Sequence, residues 1–166
     1  MNILFSSVGK RVELVNSFKR TAQELGLQIK LFGVDLNPEF CPSRFVLDNV
    51  FKVPRVTDGG FADTVLKICI SNGIKAIIPT IDTELLIYAD NIEKFKSNGI
   101  SVVLSEGDFI RTCRDKRLTN QFFEQLGIEI PKPYKKTELA FPAFAKPYDG
   151  SLSKDLYILK GTGVFL

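Results

Sequence analysis

Short apolar runs alternate with longer segments whose apolar residues recur every three or four positions. The first run covers residues 3–6, and after it Val12, Val15 and Phe18 begin a helical stripe that ends at Gly26. Four further apolar runs predict strands at residues 29–36, 49–54, 74–81 and 100–105. Because parallel strands are joined by helical crossovers, the alternation predicts an α/β fold with a doubly wound, five-stranded parallel sheet and helices on both faces.

The segments between the later strands differ in character. Residues 61–73 and 85–99 carry helical stripes that each end at a glycine, as crossover helices do. Pro38 and Pro42 rule out a long helix in residues 37–48, because proline cannot continue a helical hydrogen-bond ladder. That segment is therefore predicted to be irregular.

The pattern changes near residue 110. Residues 106–126 predict another helix, and Pro131 and Pro133 make the connector after it extended. The runs "PAFAKPY" and "LYILK" flank a turn and predict an antiparallel hairpin. Two domains are expected: a Rossmann-like domain at residues 1–110, and a partial domain made of a helix and a hairpin at residues 111–166.

Composition excludes several classes of site. The chain has no histidine, which removes serine–histidine and cysteine–histidine nucleophile pairs and imidazole ligands for zinc. The 22 basic residues are scattered among 19 acidic ones, so no nucleic-acid-binding stripe is expected. Any chemistry must use lysine, arginine, carboxylates and the backbone.

Cysteine spacing and hydropathy indicate the compartment. Cys41, Cys69 and Cys113 form neither a metal-ligand spacing nor a disulfide framework, and reduced thiols are expected. The amino terminus lacks the order of charged and apolar residues typical of a signal peptide, and no apolar run approaches the length of a membrane span. We therefore expect a cytoplasmic protein with no membrane contact.

The segment "SSVGKR" lies in the turn between the first strand and the first helix. A dinucleotide fingerprint would occupy this turn, and Asp35 ends the next strand at about the right distance. Only Gly9 is present where three glycines are needed, which argues against an NAD(P)-dependent oxidoreductase. Lys10 and Arg11 in the first helical turn oppose the helix dipole by about 0.3 to 1 kcal/mol each. Either a bound anion offsets this cost, or both side chains are simply solvated.

The segment "PTIDTELL" runs from the fourth strand into a helix. It places Asp82 and Glu84 at the carboxyl edge of the sheet, where open parallel sheets bind ligands. Asp82 also suits a helix N-cap, and Glu84 suits the first helical turn. Both capping and substrate contact are therefore open roles for these two carboxylates.

Two lysines in the second part of the chain are candidates for phosphate binding. Lys116 begins a helix, and Lys146 lies on a predicted strand next to a turn at residues 149–154. Two fixed cations and a set of backbone N–H groups suit a triphosphate, since positioned donors and cations stabilise charge on phosphoryl oxygens.

These motifs carry a family resemblance. The run "DKRLTNQFFEQLGIEIPKP" followed by "FPAFAKPYDGSLSKDLYIL" resembles the opening of the ATP-grasp fold. Upstream, "SSVGKRVELV", "GVDLNP" and "IIPTIDTEL" resemble the N-terminal pre-ATP-grasp domain of carbamoyl-phosphate-synthase-like and pyrrolysine-biosynthesis-like ligases. The resemblance covers nearly all of the chain. It implies an enzyme class that uses Mg-ATP to convert a carboxylate into an acyl phosphate, which an amine or ammonia then attacks.

The resemblance also implies roles for individual residues. Lys116 would contact the nucleotide phosphates, and Lys146 would reach the α and β phosphates. Gly150, Ser151 and Ser153 would form a flexible loop over them.

On the facing edge the resemblance implies a site where a small carboxylate substrate enters. The residues that would line it are Lys10, Arg11, Asp82 and Glu84.

The chain departs from the family pattern in two ways. Leu152 and Asp155 occupy later glycine sites of the flexible loop, where side chains limit the approach of the backbone to phosphate. The family's adenine-binding hinge and magnesium-holding residues would lie beyond residue 166. The resemblance thus implies that ATP and Mg²⁺ binding needs a second polypeptide, and that this chain is a fragment, the product of a split or interrupted gene, or a shortened binding protein, inactive alone.

An alternative hypothesis is a non-catalytic regulatory module. It would bind a small anionic ligand at residues 9–11 and 80–84, and its hairpin would form the contacts of a homodimer.

Overall fold

The computed structural model describes residues 1–150 and 153–161. It divides into two compact units, Met1–Gly107 and Asp108–Leu166. Their assignment as two domains stays a prediction. None of the helices in the described part of the chain has the length and apolar character needed to span a bilayer.

The first unit contains the predicted five-stranded parallel sheet. Its strands lie in the order β3-β2-β1-β4-β5, and every neighbouring pair is parallel. The α/β prediction is confirmed. The strands are β1 (Asn2–Ser6), β2 (Lys30–Asp35), β3 (Asn49–Lys52), β4 (Ile74–Pro79) and β5 (Ser101–Val102). The helices of this unit are α1 (Val12–Glu24), α2 (Phe61–Ser71), α3 (Leu85–Asp90) and α4 (Ile92–Lys96).

Helices cover both faces of the sheet because successive strand residues point in opposite directions. Ile3 and Phe5 of β1 pack with Val15 of α1 on one face. Leu4, between them, packs on the other face in a cluster that includes Val65 of α2. The sheet is therefore buried on both sides, which explains why its strands read as continuous apolar runs.

One predicted crossover helix of the first unit is interrupted. The stripe at residues 85–99 forms α3 and α4, which are separated at Asn91, whose side-chain amide donates to the Ile87 carbonyl at 2.8 Å. A side chain that bonds the backbone in this way competes with the helical ladder. Residues 37–48 contain only short 3₁₀ segments, Pro38–Phe40 and Pro42–Val46, as expected from the two prolines.

The described residues after Met1–Gly107 contain the predicted hairpin and two helices, the first of which begins at Gly107 itself. Helices α5 (Gly107–Arg114) and α6 (Lys116–Gln125) are separated at Asp115, whose carboxylate accepts from the Arg117 backbone N–H at 2.9 Å and caps α6. Strands β6 (Ala143–Ala145) and β7 (Tyr157–Leu159) pair antiparallel, which confirms the hairpin. Phe144 and its cross-strand partner Ile158 are both exposed.

Candidate functional site

The turn from β1 into α1 lies at the carboxyl edge of the sheet and is firmly anchored. Its backbone has positive φ at Ser7 (+50°) and Gly9 (+32°). The Gly9 N–H donates to Asp35 Oδ2 at 3.0 Å, and the Gly9 carbonyl accepts from Ser43 Oγ at 2.8 Å. Asp35 thus holds the turn that a dinucleotide fingerprint would occupy.

Arg11 connects this turn to the end of β4. Its Nη2 donates to the Thr80 carbonyl at 2.9 Å. Lys10 is exposed beside it. The structure therefore brings the two predicted anion-binding segments, residues 9–11 and 80–84, to one edge.

Glu84 is the central polar residue of this edge, and it is fully buried. One carboxylate oxygen accepts from Ser6 Oγ at 2.7 Å and from Ser7 Oγ at 2.8 Å. The other accepts from the backbone N–H groups of Thr80 at 2.7 Å and Ile81 at 3.2 Å. Glu84 therefore caps the turn after β4 and fastens it to the end of β1. The sequence did not show the link to β1, because Ser6 and Ser7 lie 78 and 77 positions away along the chain.

Asp82 lies on the same turn but is exposed. It is the first residue of the 3₁₀ segment Asp82–Glu84, whereas an N-cap would precede the segment. The capping that the sequence suggested for Asp82 is supplied by the carboxylate of Glu84. Substrate contact by Asp82, Lys10 or Arg11 stays a prediction.

Burial raises the pKa of Glu84, although the bonds from Ser6, Ser7 and the backbone oppose that shift. Tyr88 extends the network, because its hydroxyl donates to Ser6 Oγ at 2.6 Å. Burial raises the pKa of Tyr88 well above its usual range, so this hydroxyl keeps its proton at neutral pH.

The raised pKa of Glu84 predicts how stability changes with pH. A folded-state pKa above the unfolded one means that the native state binds the proton more tightly, so the free energy of unfolding falls as the pH rises through that window. Urea unfolding between about pH 4 and pH 8 should show this fall. Glu84→Gln stays uncharged and should give a flatter profile. Superimposable profiles for the two proteins would contradict the assignment.

Cys41 lies near the anchored turn but is poorly suited to nucleophilic chemistry. Burial, followed by the negative charge of Asp35, raises the pKa of the Cys41 thiol to about 11. The thiolate is the reactive form of cysteine, so this thiol is inert at neutral pH.

A cavity of about 400 Å³ opens at the same edge. Apolar side chains from the ends of β2 and β3 and from the start of α2 form much of its wall. Its polar lining comes from Ser7, Asp35, Arg55, Thr57 and Thr83. Sequence analysis missed Arg55, Thr57 and Thr83, because nothing in the local pattern distinguishes them from ordinary loop residues.

The second unit places Lys116 against the turn that follows β6. Its backbone N–H donates to the Tyr148 carbonyl at 2.9 Å, and its Nζ donates to the Gly150 carbonyl at 2.7 Å. Arg117 stacks over the Tyr148 ring at 3.9 Å from the ring centre. Two of the predicted phosphate-binding positions, Lys116 and Gly150, are therefore in direct contact.

The other predicted positions of this site are less closely connected. Lys146 follows β6 directly and is exposed. Ser153 is exposed with a φ of +54°, and Asp155 has a φ of +55°. Both residues therefore have a backbone conformation that favours glycine. Ser151 lies outside the described residues.

The described residues do not fit a metal site. In residues 1–150 and 153–161, no three side chains among cysteine, aspartate and glutamate lie close enough together to hold a metal ion. Mg²⁺ prefers carboxylate and other oxygen ligands. The described residues therefore offer no such group of ligands for Mg²⁺.

Comparison with protein families shows to which family this chain belongs. Residues 3–103 match the family model of the PylC-like N-terminal domain. The chain belongs to this family. The PylC-like domain is a pre-ATP-grasp domain of the ATP-grasp family, and it contains the whole edge from Ser6 to Glu84.

Solved structures share this fold. The chain is similar to pyruvate carboxylase from Rhizobium etli, with a TM-score of 0.70 and 16% identity over 98% of this chain and 16% of that one. It is similar to biotin carboxylase from Campylobacter jejuni, with a TM-score of 0.70 and 12% identity over 96% of this chain and 38% of that one.

A third similar structure is L-amino acid ligase from Bacillus licheniformis, with a TM-score of 0.65 and 16% identity over 97% of this chain and 39% of that one. The chain thus spans less than half the length of each of these proteins, and at these identities the likeness shows the fold alone. No curated protein matched the PylC-like chain.

Proposed function

We propose that the chain is the amino-terminal module of an ATP-dependent carboxylate–amine ligase of the ATP-grasp type. Besides the family match, one observation supports the proposal. The Nζ of Lys116, the first residue of α6, lies 2.7 Å from the Gly150 carbonyl, so this cation contacts the turn that follows β6. Lys146 precedes this turn on the same segment. This arrangement supports a phosphate-binding role for the second unit.

The chemistry proposed for the complete enzyme balances without an external oxidant or reductant. A carboxylate oxygen attacks the γ-phosphorus of ATP, and ADP leaves. The amine nitrogen then attacks the acyl carbon, phosphate leaves, and the nitrogen loses a proton. In this scheme Lys116 and Lys146 bind phosphate oxygens, because fixed cations stabilise the charge that develops there.

The carboxylate substrate is assigned to the edge of the first unit. Arg11 is held there by the Thr80 carbonyl, and Lys10 is exposed beside it. Glu84 acts in this scheme by fixing Ser7 and the turn after β4, because its own oxygens are occupied by protein donors.

The remainder of an ATP-grasp domain would complete the nucleotide site and supply the ligands for Mg²⁺. The hairpin supports this part of the proposal. A two-stranded sheet is marginal by itself in water, and Phe144, Tyr157 and Ile158 are exposed on it. A covering layer would bury these side chains.

Titrations with inorganic triphosphate, which needs no adenine-binding hinge, test the phosphate site. Lys146→Ala and Lys116→Ala should each weaken triphosphate binding by about tenfold or more, because each removes a charge-assisted bond to phosphate. Lys132→Ala removes an exposed lysine of the same unit and serves as the control. Isothermal titration with inorganic triphosphate measures the change. Equal affinities for the three variants and the unmodified chain would contradict the assignment.

Turnover provides a separate test. The isolated chain should release no phosphate from ATP in the presence of a panel of carboxylates and amines. Sustained ATP-dependent ligation by residues 1–166 alone would contradict the need for the remainder of an ATP-grasp domain.

The alternative function is a non-catalytic module for a small anion. The bond from Arg11 to Thr80 favours it, since it ties the two predicted anion-binding segments together within the first unit. Stabilisation by a small anion that is lost in Lys10→Ala but kept in Lys146→Ala would favour this module over the ligase.

A further inference from the structure

Lys10 and Arg11, the cations assigned to the carboxylate substrate, do not line the cavity at the carboxyl edge, and the lining lies entirely within Met1–Gly107. We propose that this cavity binds a ribonucleoside, with the planar base against its apolar walls and the vicinal diol of the ribose on Asp35. The inference is independent of the ligase proposal, because it requires neither the second unit nor a triphosphate.

Asp35 is prepared to receive a diol. Its Oδ2 accepts from the Gly9 N–H at 3.0 Å, and its Oδ1 accepts from the Asn37 N–H at 3.0 Å. These two backbone bonds fix the plane of the carboxylate. Each carboxylate oxygen has room for about two hydrogen bonds. The Cys41 thiol also bonds this carboxylate, but a thiol is a weak donor that a ribose hydroxyl can displace, and it has the Asn37 carbonyl as a second acceptor. Each oxygen can therefore accept one hydroxyl. Two hydroxyls on adjacent carbon atoms match that pair of acceptors.

The cavity walls suit a planar ring. Val53 and Phe61 are buried, Val56 and Ile81 are half-buried, and all four line the cavity. Small-molecule sites are commonly apolar clefts of about 300 to 1,000 Å³ with a few fixed polar groups. At about 400 Å³, this cavity is large enough for a nucleoside, and its lining includes a few polar groups.

The position of Asp35 agrees with this assignment. An acidic residue at the end of the second strand of a dinucleotide-binding sheet contacts the ribose, whereas a glycine of the fingerprint admits the pyrophosphate. This chain keeps the acid and lacks two of the three glycines. The missing glycines therefore argue against a dinucleotide. They do not affect a site for the ribose and the base, because the glycines of the fingerprint serve the pyrophosphate.

A small zwitterion is the rival ligand, because Arg55 also lines the cavity and could pair with a carboxylate. It would leave much of the apolar wall uncovered. The ribonucleoside accounts for both the wall and the two acceptors of Asp35.

Calorimetric titration of the full chain tests the inference with adenosine, guanosine, cytidine and uridine. At least one should bind. For the one that binds tightest, the 2′-deoxy and 3′-deoxy forms should each bind about tenfold more weakly or worse, since each loses a hydroxyl bonded to a carboxylate. These ligand-side comparisons leave the protein unchanged, so they do not depend on the folding of a variant.

Two variants locate the site. Thr57→Trp fills the cavity from an exposed loop and should abolish binding, whereas Thr21→Trp, on an exposed position of α1, should not affect it. The double variant Lys116→Ala, Lys146→Ala should bind the nucleoside as the unmodified chain does. A negative result for phosphate binding at Lys116 and Lys146 can therefore be distinguished from a negative result for nucleoside binding in the cavity.

Several results would overturn the inference. They are the absence of binding by all four ribonucleosides, equal affinity for the deoxy forms, binding that persists in Thr57→Trp, and binding of NAD tighter than that of adenosine. If a free amino acid displaced the nucleoside at a concentration below that of the nucleoside itself, the cavity would be assigned to the zwitterion.

Discussion

Replacing Glu84 with alanine should lower the free energy of unfolding by about 3 kcal/mol or more. The substitution removes the acceptor for four donors, namely the hydroxyls of Ser6 and Ser7 and the N–H groups of Thr80 and Ile81. Each buried donor left without an acceptor costs about 1 to 3 kcal/mol, and rearrangement of the serine hydroxyls recovers part of the loss. Chemical denaturation at neutral pH measures the change.

A matched substitution separates this effect from the general loss of a glutamate. Glu13 lies in the first turn of α1 with its side chain 83% exposed. Glu13→Ala should change stability by no more than about 0.5 kcal/mol, as exposed substitutions usually do. If Glu84→Ala were no more destabilising than Glu13→Ala, the buried network would not be a stabilising feature of the fold.

Replacing Gly33 with alanine should destabilise the protein by about 2 kcal/mol. Gly33 lies in the middle of β2, between Phe5 of β1 and Val50 of β3. A Cβ atom there would lie 2.8 Å from Leu47 Cδ1 and 2.8 Å from Val8 Cγ1, closer than carbon atoms pack. To relieve the clash between the added Cβ and Val8, Val8 would have to move, and Val8 belongs to the turn that carries Gly9.

Gly59 provides the control for Gly33. An added Cβ at Gly59 meets no atom within 4 Å, and its φ lies outside the left-handed region. Gly59→Ala should therefore be neutral or stabilising by up to about 1 kcal/mol, because alanine restricts the unfolded chain. Thermal unfolding of both variants measures the difference. Similar melting temperatures would show that β2 accommodates a side chain at Gly33.

The strand order could not be read from the sequence, but the number and type of the sheet strands could. Continuous apolar runs such as residues 74–81 are typical of strands buried on both faces, and the structure buries them in that way. The break at Asn91 could not be predicted, because an asparagine in a helical stripe is compatible with either an exposed side chain or a bond to the backbone. Local contacts of this kind decide where a helix is interrupted.

The candidate site was only partly predictable for a related reason. Gly9, Lys10 and Arg11 were placed correctly at the edge, since the carboxyl ends of parallel strands lie together. The burial of Glu84 was not predicted, because it depends on Ser6 and Ser7, which only the pairing of β1 with β4 brings near. Side-chain partners across neighbouring strands require the fold itself.

The bonds between Glu84 and the end of β1 also determine when this edge can exist during folding. They join groups 77 and 78 positions apart, so they form only after the intervening strands and helices have closed a long loop. The amide hydrogens of Thr80 and Ile81, which the Glu84 carboxylate covers, should exchange with solvent only when β1 and β4 separate. Their deuterium uptake would report the opening of the whole sheet, although both residues lie in a loop.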